Sequence, residues 1–164
     1  MSIDLTTKTD QEIANLIDNH RKKGVTTSPL YLAVEAEQAR RNRSVLEFDR
    51  SRTFILAAAR ERRFLGYGQL AEANGTTWNK VRYAMHRHLW LLCRSAHDKG
   101  WPMLSAIVVD KPNIATGKME PGALKGFIKT AHDLGRRDVD ADGEKFLRDE
   151  QERLFQFVQE HSVL

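Results

Sequence analysis

The stretch from Tyr67 to Val109, YGQLAEANGTTWNKVRYAMHRHLWLLCRSAHDKGWPMLSAIVV, decides how this chain reads. Gln69 to Asn74 carries Leu70, Ala71 and Ala73, good helix formers with one apolar side. Asn74-Gly75 ends that short helix, because glycine reaches positive φ at little cost and an Asn-Gly pair favours a turn. Thr76 or Thr77 then stands where a hydroxyl can cap the next helix. That helix is predicted from about Thr77 to Lys99, closed by Gly100 and Pro102.

Val81, Met85, Leu89, Leu92 and Ala96 recur at helical spacing and form the buried stripe of the long helix. At about 100° per residue, Asn79, Tyr83, His86, Trp90 and Arg94 fall on the opposite face. Lys80, Arg82 and Arg87 flank them. Asparagine can read an adenine edge, arginine a guanine edge, and lysine a phosphate. Met103 to Val109 is apolar and partly β-branched, between Pro102 and Pro112, and reads as a strand. A polar loop from Lys111 to Lys118 follows, with a lysine at each end. Short helix, glycine turn, long basic helix, strand and basic loop is the order of a winged helix-turn-helix, with the loop as wing. The plainer reading is a solvated face on a core helix and an ordinary surface loop.

Tyr67-Gly68-Gln69-Leu70-Ala71 resembles the Tyr-Gly-Glu-Leu-Ala motif that opens the helix-turn-helix of alkyltransferase-like DNA-binding domains. The resemblance implies a DNA-binding scaffold. It does not imply alkyl transfer, because the reactive Pro-Cys-His-Arg segment of that family is absent and the one cysteine, Cys93, lies within the long helix. That family's Arg-Ala-Val-Gly is here Asn79-Lys80-Val81-Arg82, so its arginine is not carried over. Leu16 to Gly24, Pro29 to Leu32 and Trp101 to Val109 resemble a family of small uncharacterised bacterial proteins, and this resemblance implies no activity.

At 164 residues the chain makes one domain, or one domain with an arm, with enough length to bury a core. Hydrophobic residues at 41% beside charged residues at 29% fit a soluble globular protein. A net charge of +4 favours polyanionic partners. No apolar run approaches the length of a membrane span, and the N-terminus shows no apolar signal segment. One cysteine makes no internal disulfide, which suits the cytoplasm.

Working outward, Thr9 and Glu12 stand at capping-box spacing before Ile13, Leu16 and Ile17, and Gly24 closes this first helix after His20-Arg21-Lys22-Lys23. A second helix runs from Leu30 to about Asn42, ending in Arg40-Arg41, and the pair reads as a helical hairpin. Asp49 or Ser51 opens a third, with Phe54, Ile55, Ala58 and Ala59 on its core side. Beyond the loop, Pro121 or Gly122 starts a helix stopped by Gly135, and a last helix runs from about Gly143 to Glu160. Phe146, Phe155 and Phe157 predict that this tail is tied down.

Asp138, Asp140 and Asp142, followed by Gly143, match the opening of a calcium loop. Lys145 and Asp149 depart from the rest of that pattern, so an acidic turn with Asp142 as helix cap is the ordinary reading. Cys93 with His88 and His97 lacks the spacing of a zinc site. There is no nucleophile elbow and no phosphate-binding glycine loop.

The fold expected is mainly α with a small β element: a winged helix-turn-helix-like core plus an N-terminal helical hairpin. Residues 1–50 form the arm and residues 51–164 the winged-helix-like domain with C-terminal helices. The function expected is non-enzymatic binding of nucleic acid, double-stranded DNA before RNA, through Asn79, Lys80, Arg82, Tyr83, His86 and Arg87, with Lys111 and Lys118 on the backbone. A protein-interaction module presenting Tyr83 and Trp90, and a small enzyme or toxin with an unassigned site, are the competing classes. The N-terminal arm or Trp90 would serve a homodimer. No cofactor, no resident metal and no membrane partner are expected.

Overall fold

The computed structural model describes residues 3–42, 45–139 and 142–161. It is mainly helical and divides into two compact units, Met1–Leu46 and Glu47–Leu164. No helix among the described residues is long and apolar enough to cross a membrane.

The first unit is a hairpin of α1 (Asp10–Lys22) and α2 (Pro29–Asn42) after a 3-10 turn at Leu5–Thr7. The capping box forms: Glu12 N–H donates to Thr9 Oγ1 at 3.2 Å, and Thr9 N–H donates to Glu12 Oε2 at 2.7 Å. Ile13, Ile17, Tyr31 and Val34 are buried between the helices. Much of the basic charge is paired within the unit. Arg21 donates to Tyr31 and Glu35, Arg40 to Glu37, and Arg41 to Glu37 and Asp10.

The second unit begins with α3 (Phe48–Arg60), then β1 (Leu65–Gly66), α4 (Tyr67–Ala73) and α5 (Trp78–Asp98). β2 (Val108–Val109), α6 (Pro121–Asp133) and α7 (Gly143–Glu160) follow. Glu47, not Asp49 or Ser51, occupies the N-cap of α3, and Ser51 is buried one turn inside it. The turn after α4 forms as predicted, with Gly75 at φ +75°. Asn74 does more than stop α4. Its side chain accepts from Glu47 N–H at 2.9 Å and donates to Ser51 Oγ at 2.9 Å and to Leu70 C=O at 3.0 Å, which ties the corner to α3. Thr77 is the N-cap of α5, but its hydroxyl makes no capping bond. The whole predicted stripe of α5, Val81, Met85, Leu89, Leu92 and Ala96, is buried, joined by His88 and Cys93.

The segment predicted as a strand from Met103 to Val109 differs. Leu104–Ile107 is a 3-10 turn, and only Val108–Val109 is strand. It pairs in parallel with β1, Leu65 opposite Val108 and Gly66 opposite Val109. The physical reason lies in α7. Met103 N–H donates to the Glu150 carboxylate at 2.9 Å, and Ala106 C=O accepts from Gln151 at 2.9 Å. Side chains from a helix thus meet backbone groups that a longer ladder would have used. The loop from Lys111 to Lys118 opens with a 3-10 turn at Lys111–Asn113 and is not the tip of an antiparallel hairpin, because the two strands of this sheet are parallel.

The C-terminal helix is tied down as predicted. Phe146 and Phe155 are buried, the Phe155 ring meets Phe64 edge-on at 5.6 Å, and Phe157 packs on Trp101 at 5.4 Å. Arg62 grips both oxygens of Glu152, at 3.1 and 3.0 Å.

Candidate nucleic-acid interface

From Ala73 to His97 the chain contains no carboxylate, and α5 spans most of that interval. Its first turn holds no acidic residue, so the helix itself supplies no carboxylate to the positive end of its dipole. Asn79, Lys80, Arg82, His86 and Arg87 are exposed, and Tyr83 is half-buried. The spacing that buries the Val81–Ala96 stripe turns these groups outward, because both sets follow from one 3.6-residue period.

The members of this face are not equivalent. The Arg82 guanidinium lies over the Tyr83 ring at 4.7 Å and donates to its hydroxyl at 2.9 Å, so these two act as one unit. Arg94 stands 5.4 Å from the Trp90 ring. Among the described residues, no carboxylate pairs with Lys80, Arg87 or Arg94. Elsewhere in this unit arginines find acids: Arg52 pairs with Asp49 at 3.2 Å, Arg62 with Glu152, and Arg136 with Glu150 at 2.9 Å. Cations without acid partners keep their charge available to an external anion.

Lys111 and Lys118 are exposed at the two ends of their loop. The loop is braced from within. Gly117 N–H donates to Asn113 C=O at 2.8 Å, Asn113 Nδ2 donates to Glu120 at 3.0 Å, and Gly117 C=O accepts from Gln151 at 2.8 Å.

Beside the basic face lies a groove of about 480 Å³, with His86, Arg87 and Trp90 from α5 on one side and Gly122, Gly126 and Lys129 from α6 on the other. Tyr67 lines it as a neutral phenol, pushed up to about 12 by burial and then by the charge of Asp110. Trp90, placed by the sequence on the outer face, is half-buried at the edge of this groove.

No family model, curated protein or solved structure matches this chain.

The acidic turn does not assemble a cation site in the described residues. Asp142 caps α7, accepting from Lys145 N–H at 3.1 Å, and Asp138 is gripped by Arg136, which holds its carboxyl below the usual range. Asp140 lies outside the described residues. No cluster of histidine, cysteine and carboxylate groups suited to a metal occurs among the described residues. Cys93 is fully buried and donates to Ser105 Oγ at 3.2 Å, and burial pushes its thiol up.

Several buried polar contacts join residues far apart in the chain. His88 is buried and its Nε2 lies 2.6 Å from Ser51 Oγ, which also accepts from Asn74. Its position three residues after Met85 and four before Leu92 was a signal that it belonged to the buried stripe. Nothing in the sequence named Ser51 as its partner. Gln151 and Glu150, buried on α7, likewise carry no local signal for the backbone groups they reach.

Proposed function

We propose that this protein binds nucleic acid, double-stranded DNA in the first instance, without carrying out a reaction on it. In this reading α3, α4 and α5 act as a helix-turn-helix unit, and α5 enters the major groove. Asn79, Arg82, Tyr83 and His86 meet base edges, while Lys80 and Arg87 meet phosphates. The Lys111–Lys118 loop takes the place of a wing and holds the backbone. The observation that carries the reading is the outer face of α5, whose Lys80, Arg87 and Arg94 meet no carboxylate among the described residues, on a stretch from Ala73 to His97 free of acids.

The test is a titration with duplex DNA at several salt concentrations. Each phosphate contact contributes about 0.9 to the slope of log affinity against log salt. Lys80→Ala/Arg87→Ala should lower that slope by roughly 2 and weaken binding across sequences alike. Affinity that is absent, or flat with salt, would sink the reading.

A second reading has one observation in its favour. Leu91 is 41% exposed on α5 next to the half-buried Trp90, and an exposed leucine beside an aromatic groove suits a protein partner or a second copy of the chain. Under that reading Trp90→Ala/Leu91→Ala changes the oligomeric state in sedimentation and leaves DNA affinity untouched.

A further inference from the structure

Gln151 is 5% exposed and spends its side-chain amide on the backbone of two distant segments. Its Nε2 donates to Ala106 C=O at 2.9 Å, in the 3-10 turn before β2, and to Gly117 C=O at 2.8 Å, in the lysine loop. Gly117 is itself buried, at φ +73°, with the Phe64 ring directly against it. Behind the loop, therefore, α7 supplies the hydrogen bond, Phe64 supplies the packing, and the glycine supplies a left-handed backbone with no side chain to meet the ring. In front, Lys111 and Lys118 are exposed on either side of this anchor, and Asn113 to Glu120 closes the loop base at 3.0 Å.

A loop fixed in this way offers its charges at a set spacing and loses little freedom when it meets a polyanion. The same lysines on a released loop keep their charge but must be ordered at the moment of binding. Glu150 and Glu152, the neighbours of Gln151 on α7, are carboxylates and cannot donate in its place; they accept from Met103 N–H and Arg136, and from Arg62. We propose that Gln151 is a positioning residue for nucleic-acid binding, fixing the Lys111–Lys118 loop from inside the fold so that both lysines reach phosphates together with α5. The inference rests on the nucleic-acid reading above and adds α7 to the binding apparatus, although Gln151 touches no ligand.

The experiment is a double-mutant cycle read in the salt dependence of DNA affinity. In the wild-type background, Lys111→Ala/Lys118→Ala should lower the slope of log affinity against log salt by about 2. In a Gln151→Leu background the same pair of lysine substitutions should lower it by less than half as much, because the released loop no longer delivers both charges. Gly117→Ala gives an independent route, since it displaces the same loop from the Phe64 side and leaves Gln151 intact. It should reduce the lysine contribution in the same way, and it serves in place of Gln151→Leu should that variant lose its helical circular dichroism. If the glutamine merely stabilised the fold, Gln151→Leu would lower the melting temperature and leave the lysine contribution to the slope at its full value in folded molecules.

The inference is overturned by a full lysine contribution in both backgrounds. It is equally overturned by a lysine pair that has no effect on a wild type that binds, an outcome that leaves the reading of α5 standing. Absence of any wild-type binding overturns the nucleic-acid reading itself and the inference with it.

Discussion

Phe64 closes over Gly117 so tightly that a β-carbon on the glycine would collide with the ring. Gly117 also holds φ at +73°, a region that a side chain disfavours. Segment, ring and turn are thus locked by one residue that has no side chain.

Gly117→Ala combines two penalties. The left-handed backbone costs about 1–2 kcal/mol for a residue with a β-carbon, and forcing an atom into a packed site costs about 1–3 kcal/mol more. Gly75→Ala carries only the first, because the space around Gly75, at φ +75°, is open. Urea unfolding should therefore rank Gly117→Ala below Gly75→Ala, and both below wild type. Equal losses at the two sites would refute the close contact with Phe64.

His88 should make stability depend on pH. Burial lowers its pKa from 6.5, so the folded protein holds it neutral while the unfolded chain takes up a proton below about that value. The unfolded state then binds more protons, and stability rises with pH through the window just below 6.5 and levels off above it. The neutral Nε2 keeps its place beside Ser51 Oγ at 2.6 Å. His88→Gln removes the titration. The difference in melting temperature between wild type and His88→Gln should favour wild type near pH 7.5 and shrink as pH falls to 5. A difference independent of pH would show that His88 does not titrate in this way.

Arg136 and Glu150 form a buried pair, with side chains 10% and 3% exposed and Nη1 2.9 Å from Oε1. Glu150 also accepts from Met103 N–H. Arg136→Met leaves that carboxylate buried without its main partner, a change that typically costs about 3–5 kcal/mol. Adding Glu150→Gln removes the stranded charge and retains an acceptor for Met103 N–H. The double variant should recover more than half of the loss in urea unfolding. Additive losses would mean that the two side chains do not act as a pair.

Cys93 should be silent toward thiol reagents in the native protein. It is fully buried, its thiol is pushed up by burial, and its S–H is engaged by Ser105. Labelling by a disulfide reagent should follow the rate of unfolding and appear at once in denaturant. Rapid native labelling would reveal an opening of the α5 region that the fold does not display.

The parts of this fold that were readable in the sequence are those governed by neighbours in the chain. The stripe of α5, the capping box at Thr9 and the turn at Gly75 all depend on residues a few positions apart, and each formed as the spacing required. The basic outer face of α5 was legible for the same reason, since a helical period that buries one set of residues exposes the other. Met103–Val109 differs from the strand its composition predicts because an apolar, β-branched run fits a strand and an enclosed turn alike. The start of α3 was misplaced because Ser51 looks like a cap but serves His88 and Asn74.

The helices, their buried faces, the acid-free interval from Ala73 to His97 and the mild positive charge are all written in the order of residues along the chain. These follow from covalent geometry and local periodicity, which need no knowledge of what lies opposite. The three-dimensional packing, by contrast, decided that Gln151 meets Gly117, 34 residues away, and that Arg62 meets Glu152, 90 residues away. It also decided that β1 and β2 run parallel and that the lysine loop is braced from α7. A buried polar group must find a partner wherever one comes within reach, and that reach is set by packing across the core.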